Sequence, residues 1–269
     1  MPGISKMQWA IINKDLKSVT GNKRMLSIML IVPFVMTIAV PLIFIFAIHF
    51  SRADKNLSDL IQMLDKINAG LIIQQNDMKI AATKMIMNYI MPLFFLMIPI
   101  MVSSVMSASA FVGEKEKNTL ETLLYCPLTL RDIFAAKILA SFLLSMAVSF
   151  TSFIIMSIVV ETVLIAVTGA MIAPGINWLI MMLLVSPSIS LLAINLIVRS
   201  SAKSQSSEES QQRAVFLVLP VVLFIVGQFT GIMLLSVWLL LGIGVVLAVI
   251  ALLLFRRSFG KFQYETLLI

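Results

Sequence analysis

The sequence of 269 residues is 60% hydrophobic and 12% charged, and its charges lie in short blocks between long uncharged runs. A soluble domain of this length does not bury so much apolar surface, so the composition excludes a soluble enzyme and predicts an all-α, polytopic membrane protein. The net charge of +7 does not indicate nucleic-acid binding, because the basic residues lie beside the apolar runs, as membrane-flanking charges do.

The first 24 residues predict an amphipathic helix on the membrane surface. Its basic residues would contact anionic lipid headgroups, and Trp9 suits the headgroup boundary. Residues 25–50 follow as an uncharged run of 26 residues, which at about 1.5 Å per residue crosses a hydrocarbon layer of about 30 Å. This run is predicted span 1. The apolar positions of the surface helix recur at helical spacing: Ile4, Met7, Ile11, Ile12, Leu16 and Val19.

Residues 51–84 predict a polar extracytoplasmic loop, in which apolar positions between 57 and 71 mark a second amphipathic helix. This helix either covers the mouth of a cavity or belongs to a connecting hairpin on the membrane surface. Residues 85–112 are predicted span 2, which ends in a patch of small residues that lets helix backbones approach closely. We expect helix packing or a dimer seam, rather than substrate contact, at Ser103, Ser104, Ser107 and Ala108.

A short charged segment, residues 113–127, separates two long apolar stretches. Asn118 suits the cap of a helix, and Glu121, three positions on, can reach back to that cap. Pro127 ends the helix, since a proline cannot continue it. The segment therefore predicts a helix of about two turns, too short to span a membrane. Its apolar face holds Leu120, Leu123 and Leu124.

Span 3 is predicted at 138–160, after a helix start at which Thr129 is the cap and Asp132 the third residue. A stripe of hydroxyl side chains follows one face of this span at a spacing of four residues. Such a stripe either packs against a neighbouring helix, which we favour, or lines a polar path. Its residues include Ser141, Ser145 and Ser149.

Glu161 comes directly after predicted span 3. If the span ends there, the carboxylate lies at the outer surface, which we favour because 23 residues already suffice to cross. If the helix continues, Glu161 is an intramembrane carboxylate and a candidate pathway residue. Residues 162–176 are apolar but short for a span, and 178–198 are predicted span 4.

The last part of the chain combines a hydrophilic loop, 199–213, with 42 uncharged residues from 214 to 255. That run is too long for one helix and allows two short ones, with a break near its glycines. We predict span 5 at 214–229, or a re-entrant element in its place, and span 6 at 231–255.

The basic residues set the predicted orientation. Fifteen of them lie in 1–24, 113–137, 199–213 and 256–269, and five lie in the loop 51–84. Because cytoplasmic segments carry the excess of lysine and arginine, this distribution places both termini in the cytoplasm. The sequence thus predicts six spans in the cytoplasmic membrane.

The sequence shows no motif for catalysis or energy capture. A P-loop needs G-x-x-x-x-G-K-(S/T) to hold phosphates, and the glycines of the chain never form it. No histidine, cysteine or carboxylate pattern indicates a metal site or a catalytic residue either. We therefore expect no ATPase site, metal or cofactor in this chain.

The segment 113–127 resembles a pattern of the permease subunits of type-2 ABC exporters, close to G-E-(K/R)-E-x-x-T-L-E-x-L-L-x-x-P. In that family a membrane-surface helix with a K-x-L-like stretch, here Lys14-Asp15-Leu16, precedes the first span, and the short helix after the second span is the coupling helix, which docks in a groove of the ATPase subunit. The matching residues are Gly113, Glu114, Lys115, Glu116, Thr119, Leu120, Glu121, Leu123, Leu124 and Pro127.

The resemblance implies an exporter without its own ATPase site, which works with two ABC ATPase subunits that bind MgATP. It also implies a second permease, as a homodimer or a heterodimer. We expect the substrate to be an amphipathic compound, such as a drug, an antimicrobial peptide or a lipid-like molecule. The glutamates would pair with basic residues on the ATPase or brace neighbouring helices. The implied coupling residues are Glu114, Glu116, Thr119, Leu120, Glu121, Leu123, Leu124 and Pro127.

Two other classes stay open from the residues alone. One is an ion-coupled or cation-efflux carrier, and the other is an intramembrane enzyme or scaffold that uses Glu161 and His49. A carrier of the first kind usually has more than one candidate buried charge, and this sequence shows at most one within its apolar runs.

Overall fold

The protein is an all-α polytopic membrane protein, as the composition predicts. In the computed structural model, helices and short turns make up the part of the chain that the structure describes, and that part contains no strand. The described residues are 5–50, 75–117, 119, 127–169, 171, 174–201, 206–214, 216, 218–229 and 237–260.

Five helical stretches among these residues are long and apolar enough to cross a membrane. We keep the predicted numbering and call them spans 1, 2, 3, 4 and 6. The region of predicted span 5 holds the helix Val218–Phe229 of 12 residues, which covers about 18 Å and so is too short to cross by itself. The five stretches are Met25–Phe50, Ala82–Glu116, Leu130–Thr168, Ile176–Ser201 and Val237–Arg256.

Several of these stretches consist of more than one helix, because short π-helical segments interrupt them. The α-helices are Lys6–Thr20, Lys23–Phe34, Val40–Phe50, Gln75–Met85, Met91–Phe95, Met97–Glu116, Leu130–Thr168, Ile176–Ile180, Ser186–Ser201, Ser207–Ala214, Val218–Phe229 and Val237–Gly260, and the π-helices are Val35–Ala39, Ile86–Ile90 and Met181–Val185.

The π-helices lie where the sequence places prolines. Each of the three ends two residues before a proline, namely Pro41, Pro92 or Pro187. A proline ring collides with the carbonyl four residues earlier and lacks the N–H that would bond to it, so a wider turn at that point relieves both problems. The prolines thus let spans 1, 2 and 4 bend without ending.

Span 2 is the centre of the bundle, because most of its residues are buried, whereas smaller shares of spans 3 and 6 are buried. It packs against spans 3 and 4. Hydroxyl side chains hold this contact: Ser145 Oγ donates to the carbonyl of Pro99 at 3.1 Å, and Ser190 Oγ donates to Ser145 Oγ at 3.1 Å. The small residues of predicted span 2 are buried inside one copy of the chain, at Ser103, Ser104, Ser107 and Ala108.

Span 3 is one continuous helix of 39 residues, Leu130–Thr168. The predicted cap is confirmed, since Thr129 accepts a hydrogen bond from the backbone N–H of Asp132. The helix ends at Gly169, whose φ of 68° is the left-handed conformation that glycine adopts without steric cost. The helix therefore continues beyond 138–160 at both ends and passes through Glu161 without a break.

The N-terminal helix, Lys6–Thr20, packs against span 3. Ser5 and Gln8 form a capping box at its start, with each side chain bonded to the backbone N–H of the other. Its buried face consists of Ile11, Ile12, Asp15 and Val19. An acidic residue thus lies on the otherwise apolar face of this helix.

Several predicted features lie outside the described residues. They are the amphipathic helix between 57 and 71 and most of the predicted two-turn helix, including Asn118 and Cys126. The coupling residues Leu120, Glu121, Leu123 and Leu124 also lie outside the described residues.

Candidate functional site

Four charged side chains meet at the end of the bundle where span 2 ends and the segment 113–127 begins, which we call the motif end. They come from three elements that are distant in sequence: the N-terminal helix, the end of span 2 and the start of span 3. We call them the charge cluster: Lys14, Asp15, Glu114 and Lys137.

Glu114 occupies the middle of the charge cluster. Its Oε1 lies 2.6 Å from Lys14 Nζ, and its Oε2 lies 2.7 Å from Lys137 Nζ. Lys137 Nζ also lies 3.6 Å from Asp15 Oδ2. One carboxylate therefore links the N-terminal helix to span 3.

Lys137 is almost inaccessible to solvent, with 2% of its surface exposed. Besides the two carboxylates, its ammonium donates a hydrogen bond to the carbonyl of Ala110 at 2.5 Å and lies 5.7 Å from the centre of the Phe111 ring. Burial of an ammonium is costly unless charges and hydrogen-bond acceptors surround it, and this site supplies both. Lys137 is thus held by carboxylate, carbonyl and ring together.

The charge cluster is electrically balanced, with two carboxylates and two ammonium groups. Burial raises the pKa of the Asp15 carboxyl above its ordinary value; Lys137 opposes this rise and Glu114 adds to it. Asp15 is 4% exposed and Glu114 7% exposed, whereas Lys14 is exposed. Proton binding at Asp15 is therefore coupled to the packing of the N-terminal helix on span 3.

A second contact ties the motif to the hydrophilic loop before span 5. Glu116 accepts hydrogen bonds from the backbone N–H of Ser207 at 2.8 Å and from its Oγ at 2.8 Å. Ser207 begins the helix Ser207–Ala214, so a carboxylate lies at the positive end of that helix. This contact fixes the helix beside the end of span 2.

The chain turns directly after span 2. The backbone N–H and the Oγ1 of Thr119 donate to the carbonyl of Glu114 at 2.9 and 3.3 Å, which satisfies one of the free carbonyls at the helix end. Gln8 Nε2 adds a hydrogen bond of 3.0 Å to Asp132 Oδ1 and so joins the two capped helix starts. The motif end thus contains several polar contacts between elements that are distant in sequence.

A polar cavity of about 160 Å³ opens beside the charge cluster. Asp15 Oδ2 and Glu114 Oε2 have ionic contacts but no hydrogen bond of good geometry in the described part of the chain. The cavity is lined by Lys14, Asp15, Ser18, Val19, Ser109, Ala110, Gly113, Glu114, Lys117 and Thr119.

The predicted coupling residues divide into two groups. Glu114, Glu116 and Thr119 all make contacts within the chain, and Pro127 comes just before the start of span 3. The sequence left two roles open for the glutamates, namely pairing with the ATPase or bracing neighbouring helices. In the structure, Glu114 and Glu116 contact neighbouring helices of the same chain. The leucines and Glu121 lie among the residues that the structure does not describe.

The serine stripe of span 3 is buried inside the bundle. Ser141, Ser145 and Ser149 are each 0% exposed. Ser141 Oγ donates to the carbonyl of Lys137 at 3.0 Å, and Ser145 contacts both span 2 and span 4. The stripe thus lies at helix contacts.

Sequence reasoning missed three residues of the site: Asp15, Lys137 and Ser207. Asp15 follows Ile11 by four residues and precedes Val19 by four, so helical spacing alone puts it on the buried face. Lys137 lies seven residues inside the helix that starts at Leu130, which separates it from the flanking basic residues. No signal in the sequence points to Ser207, because only tertiary packing brings it to Glu116.

The opposite end of the bundle contains a smaller cavity, of about 30 Å³. There Asn88 accepts a hydrogen bond from the backbone N–H of Gly175 at 2.6 Å through its Oδ1, and from Asn177 Nδ2 at 3.1 Å through its carbonyl. A Cβ at position 175 would lie 2.7 Å from Asn88 Oδ1, so only glycine allows this approach. Glu161 lies at this cavity, as do Ser157 and Trp178.

These features are those of a polytopic membrane protein with several spans, a buried charge cluster at one end and a sequence motif at the end of its central span. Among the described residues, no group of three or more histidine, cysteine, aspartate or glutamate side chains could hold a metal ion.

The sequence pattern of the family described as "ABC-2 family transporter protein" matches residues 9–240. The chain therefore belongs to the ABC-2 transporter family and is an ABC-2 permease, the membrane component of a transporter that works with an ABC ATPase subunit. No curated protein and no solved structure matches the chain. The resemblance based on residues 113–127 is thus confirmed at the level of the family.

Proposed function

We propose that the chain is the permease subunit of an ATP-driven exporter, which moves an amphipathic compound out of the cell together with a separate ATPase subunit. The motif end faces the cytoplasm, as do both termini. The excess of basic residues in the segments at this end supports that orientation, and membership of the ABC-2 family supports the partner.

One observation carries this proposal: the segment 113–127 starts at the end of the most buried span, and its first glutamates reach three other elements. Glu114 contacts the N-terminal helix and span 3, and Glu116 contacts the helix Ser207–Ala214. A displacement of this segment therefore moves several helices together, as an ATPase that closes on ATP requires of its permease.

An apolar cavity in the bundle supports the proposal that the substrate is amphipathic. It has a volume of about 110 Å³ and lies between spans 2, 4 and 6 and the short helix Val218–Phe229, with only apolar side chains around it. Such a cavity suits the apolar part of a compound, while its polar part needs partners elsewhere. Its walls include Leu93, Leu96, Met181, Val185, Phe224 and Leu240.

The assembly we propose contains two permeases and two ATPases, with MgATP on the ATPases. The absence of a P-loop motif from the sequence supports a separate ATPase. The exposed apolar faces of spans 3 and 6 support a second permease or lipid at those faces; they include Ile154, Ile158, Val246 and Val249.

Purification with the partner tests the proposal. The permease, tagged at its N-terminus, should co-elute with an ABC ATPase, and the ATPase turnover should rise several-fold when the permease is present. A permease that transports alone, driven by an ion gradient and without any nucleotide, would contradict the proposal.

A double substitution tests the docking segment. Glu121→Lys combined with Leu124→Asp should dissociate or uncouple the ATPase, because it reverses a charge and buries another in the apolar contact. Membrane insertion should stay intact. Glu208→Lys is the matched control, since Glu208 is an exposed carboxylate at the same end, and it should retain coupling. Unchanged ATPase stimulation in the double variant would refute the docking site.

A further inference from the structure

The cavity at the opposite end contains acceptor groups without donors. Glu161 Oε1, Ser157 Oγ and Asn177 Oδ1 are buried atoms, and none has a hydrogen-bond partner in the described part of the chain. Asn177 is 7% exposed, and its amide nitrogen is already bonded to Asn88. Buried polar atoms are usually paired, so the two unpaired ones that belong to residues lining this cavity, on Glu161 and Ser157, need an explanation.

Glu161 and Ser157 are four residues apart on one face of span 3, and both line the cavity. Asn177 is bonded to Asn88 and adjacent to Trp178, both of which also line it. Among the described residues, no lysine or arginine forms an ion pair with Glu161. The cavity is therefore lined by a carboxylate and a hydroxyl without hydrogen-bond partners, and by no lysine or arginine.

The charge cluster at the motif end shows which group pairs with buried carboxylates in this protein. There a buried ammonium, that of Lys137, lies against carboxylates, a backbone carbonyl and the ring of Phe111. At the opposite end, the carboxylate of Glu161 and the ring of Trp178 are the same kinds of partner. What this second site lacks is an ammonium group.

We infer that this cavity binds a primary ammonium group, contributed by the exported compound. A primary ammonium has a positive charge and N–H donors, which suit the unpaired carboxylate oxygen of Glu161 and the unpaired hydroxyl of Ser157. The cavity volume of about 30 Å³ suits one small polar group, and a trimethylammonium group has no N–H to donate to the acceptors. The inference rests on the proposed function in one respect only, namely that the bound compound is the cargo.

The position of the cavity agrees with a substrate contact at the far side of the membrane. Glu161 follows Lys137 by 24 residues in one unbroken helix, a distance of about 36 Å, which exceeds the hydrocarbon layer of about 30 Å. The cavity thus lies near the outer boundary, while the apolar cavity is enclosed by spans 2, 4 and 6. An amphipathic amine can be held at its charged end here as it leaves the membrane.

Binding can be measured on the full chain in lipid nanodiscs without an ATPase, with dodecylammonium as the probe. Trp178 is 2% exposed and lines the cavity, so its fluorescence reports on the site in a background in which the exposed Trp9 and Trp238 are replaced by phenylalanine. We expect a saturable change in Trp178 emission with dodecylammonium and none with dodecyl sulfate or dodecyltrimethylammonium.

Substitutions then assign the site. Glu161→Gln should weaken dodecylammonium binding by about tenfold or more, since it removes the charge and keeps the shape. Ser157→Ala should weaken it by less, and Glu208→Gln, at the other end of the bundle, should leave it unchanged. Thermal unfolding of each variant shows that the fold is retained.

Three outcomes would overturn the inference: no saturable signal with dodecylammonium, equal affinity for dodecyl sulfate, or equal affinity in Glu161→Gln. Each is independent of the exporter assignment, because the measurement needs neither nucleotide nor transport. Failure of ATPase coupling, in turn, would refute the proposed function and leave the binding data intact.

Discussion

Both ends of the bundle contain buried or half-buried carboxylates, but the charged partners of these carboxylates differ between the two ends. At the motif end, Glu114 and Asp15 share the ammonium of Lys137, and Lys14 adds a second positive charge. At the opposite end, Glu161 has no ion pair with any residue that the structure describes. The difference separates two uses of a carboxylate: Glu114 holds helices together, whereas Glu161, by our inference, receives the ammonium group of a ligand.

The largest expected effect comes from Lys137. Lys137→Met leaves Glu114 and Asp15 without the ammonium that they share, and the loss of one partner from a buried ion pair typically costs about 3–5 kcal/mol. We expect a large fall in the free energy of unfolding, measured by denaturant titration in detergent micelles.

Glu161→Gln is the matched test at the opposite end. It removes a carboxylate that has no ion pair, so the free energy of unfolding should change by only about 0.5 kcal/mol. Equal losses in the two variants would show that the ends do not differ as the contacts indicate.

The contact between Glu116 and Ser207 is expected to have a smaller, local effect. Glu116→Ala removes both hydrogen bonds to Ser207, which are worth about 1 kcal/mol at a partly exposed site. Hydrogen exchange in 207–214 should accelerate by about fivefold, while exchange in span 2 stays unchanged. Glu116→Gln keeps an acceptor and should show a weaker effect. Uniform acceleration over the whole chain would argue against a local tether.

The smallest effect concerns pH and Asp15. Because burial raises the pKa of the Asp15 carboxyl, the folded protein binds this proton more tightly than the unfolded chain does. The contribution of Asp15 to stability is therefore greatest below the ordinary pKa of about 4, and it falls as pH rises from there through the raised pKa.

The measurement is the unfolding free energy of the wild type minus that of Asp15→Asn, at several pH values from about 4 upward. This difference should decrease with rising pH. A difference that increases would mean that Lys14 and Lys137, which face Asp15 together with Glu114, outweigh its burial.

The helical spans and the motif could be predicted because they depend on local properties of the chain. Uncharged runs of sufficient length cross a membrane wherever they occur, and the prediction of an all-α polytopic protein follows from that. The helix cap at Thr129 could be predicted for the same reason, since its hydrogen bond needs only the backbone N–H of Asp132, three residues later. The prolines, visible in the sequence, also account for the three π-helices.

The partners of the charged residues could not be predicted, because they come from distant parts of the chain. Lys14 suggested a contact with lipid headgroups, and Lys137 a residue at the membrane boundary, yet both lie against Glu114, which is 100 residues from the first. Sequence reasoning favoured a surface position for Glu161 after a span that ends there, whereas the helix continues to Thr168. Only packing shows which acceptors stay unpaired at that point.

The sequence by itself determined that this protein crosses the membrane several times and carries the motif of an ABC-2 permease after its second span. Those properties follow from hydrophobicity, helix length and residue order, which need no information on contacts. Tertiary structure decided which charges are paired and which are not. The energy of a buried charge depends on the groups within a few ångströms of it, and folding alone brings those groups together.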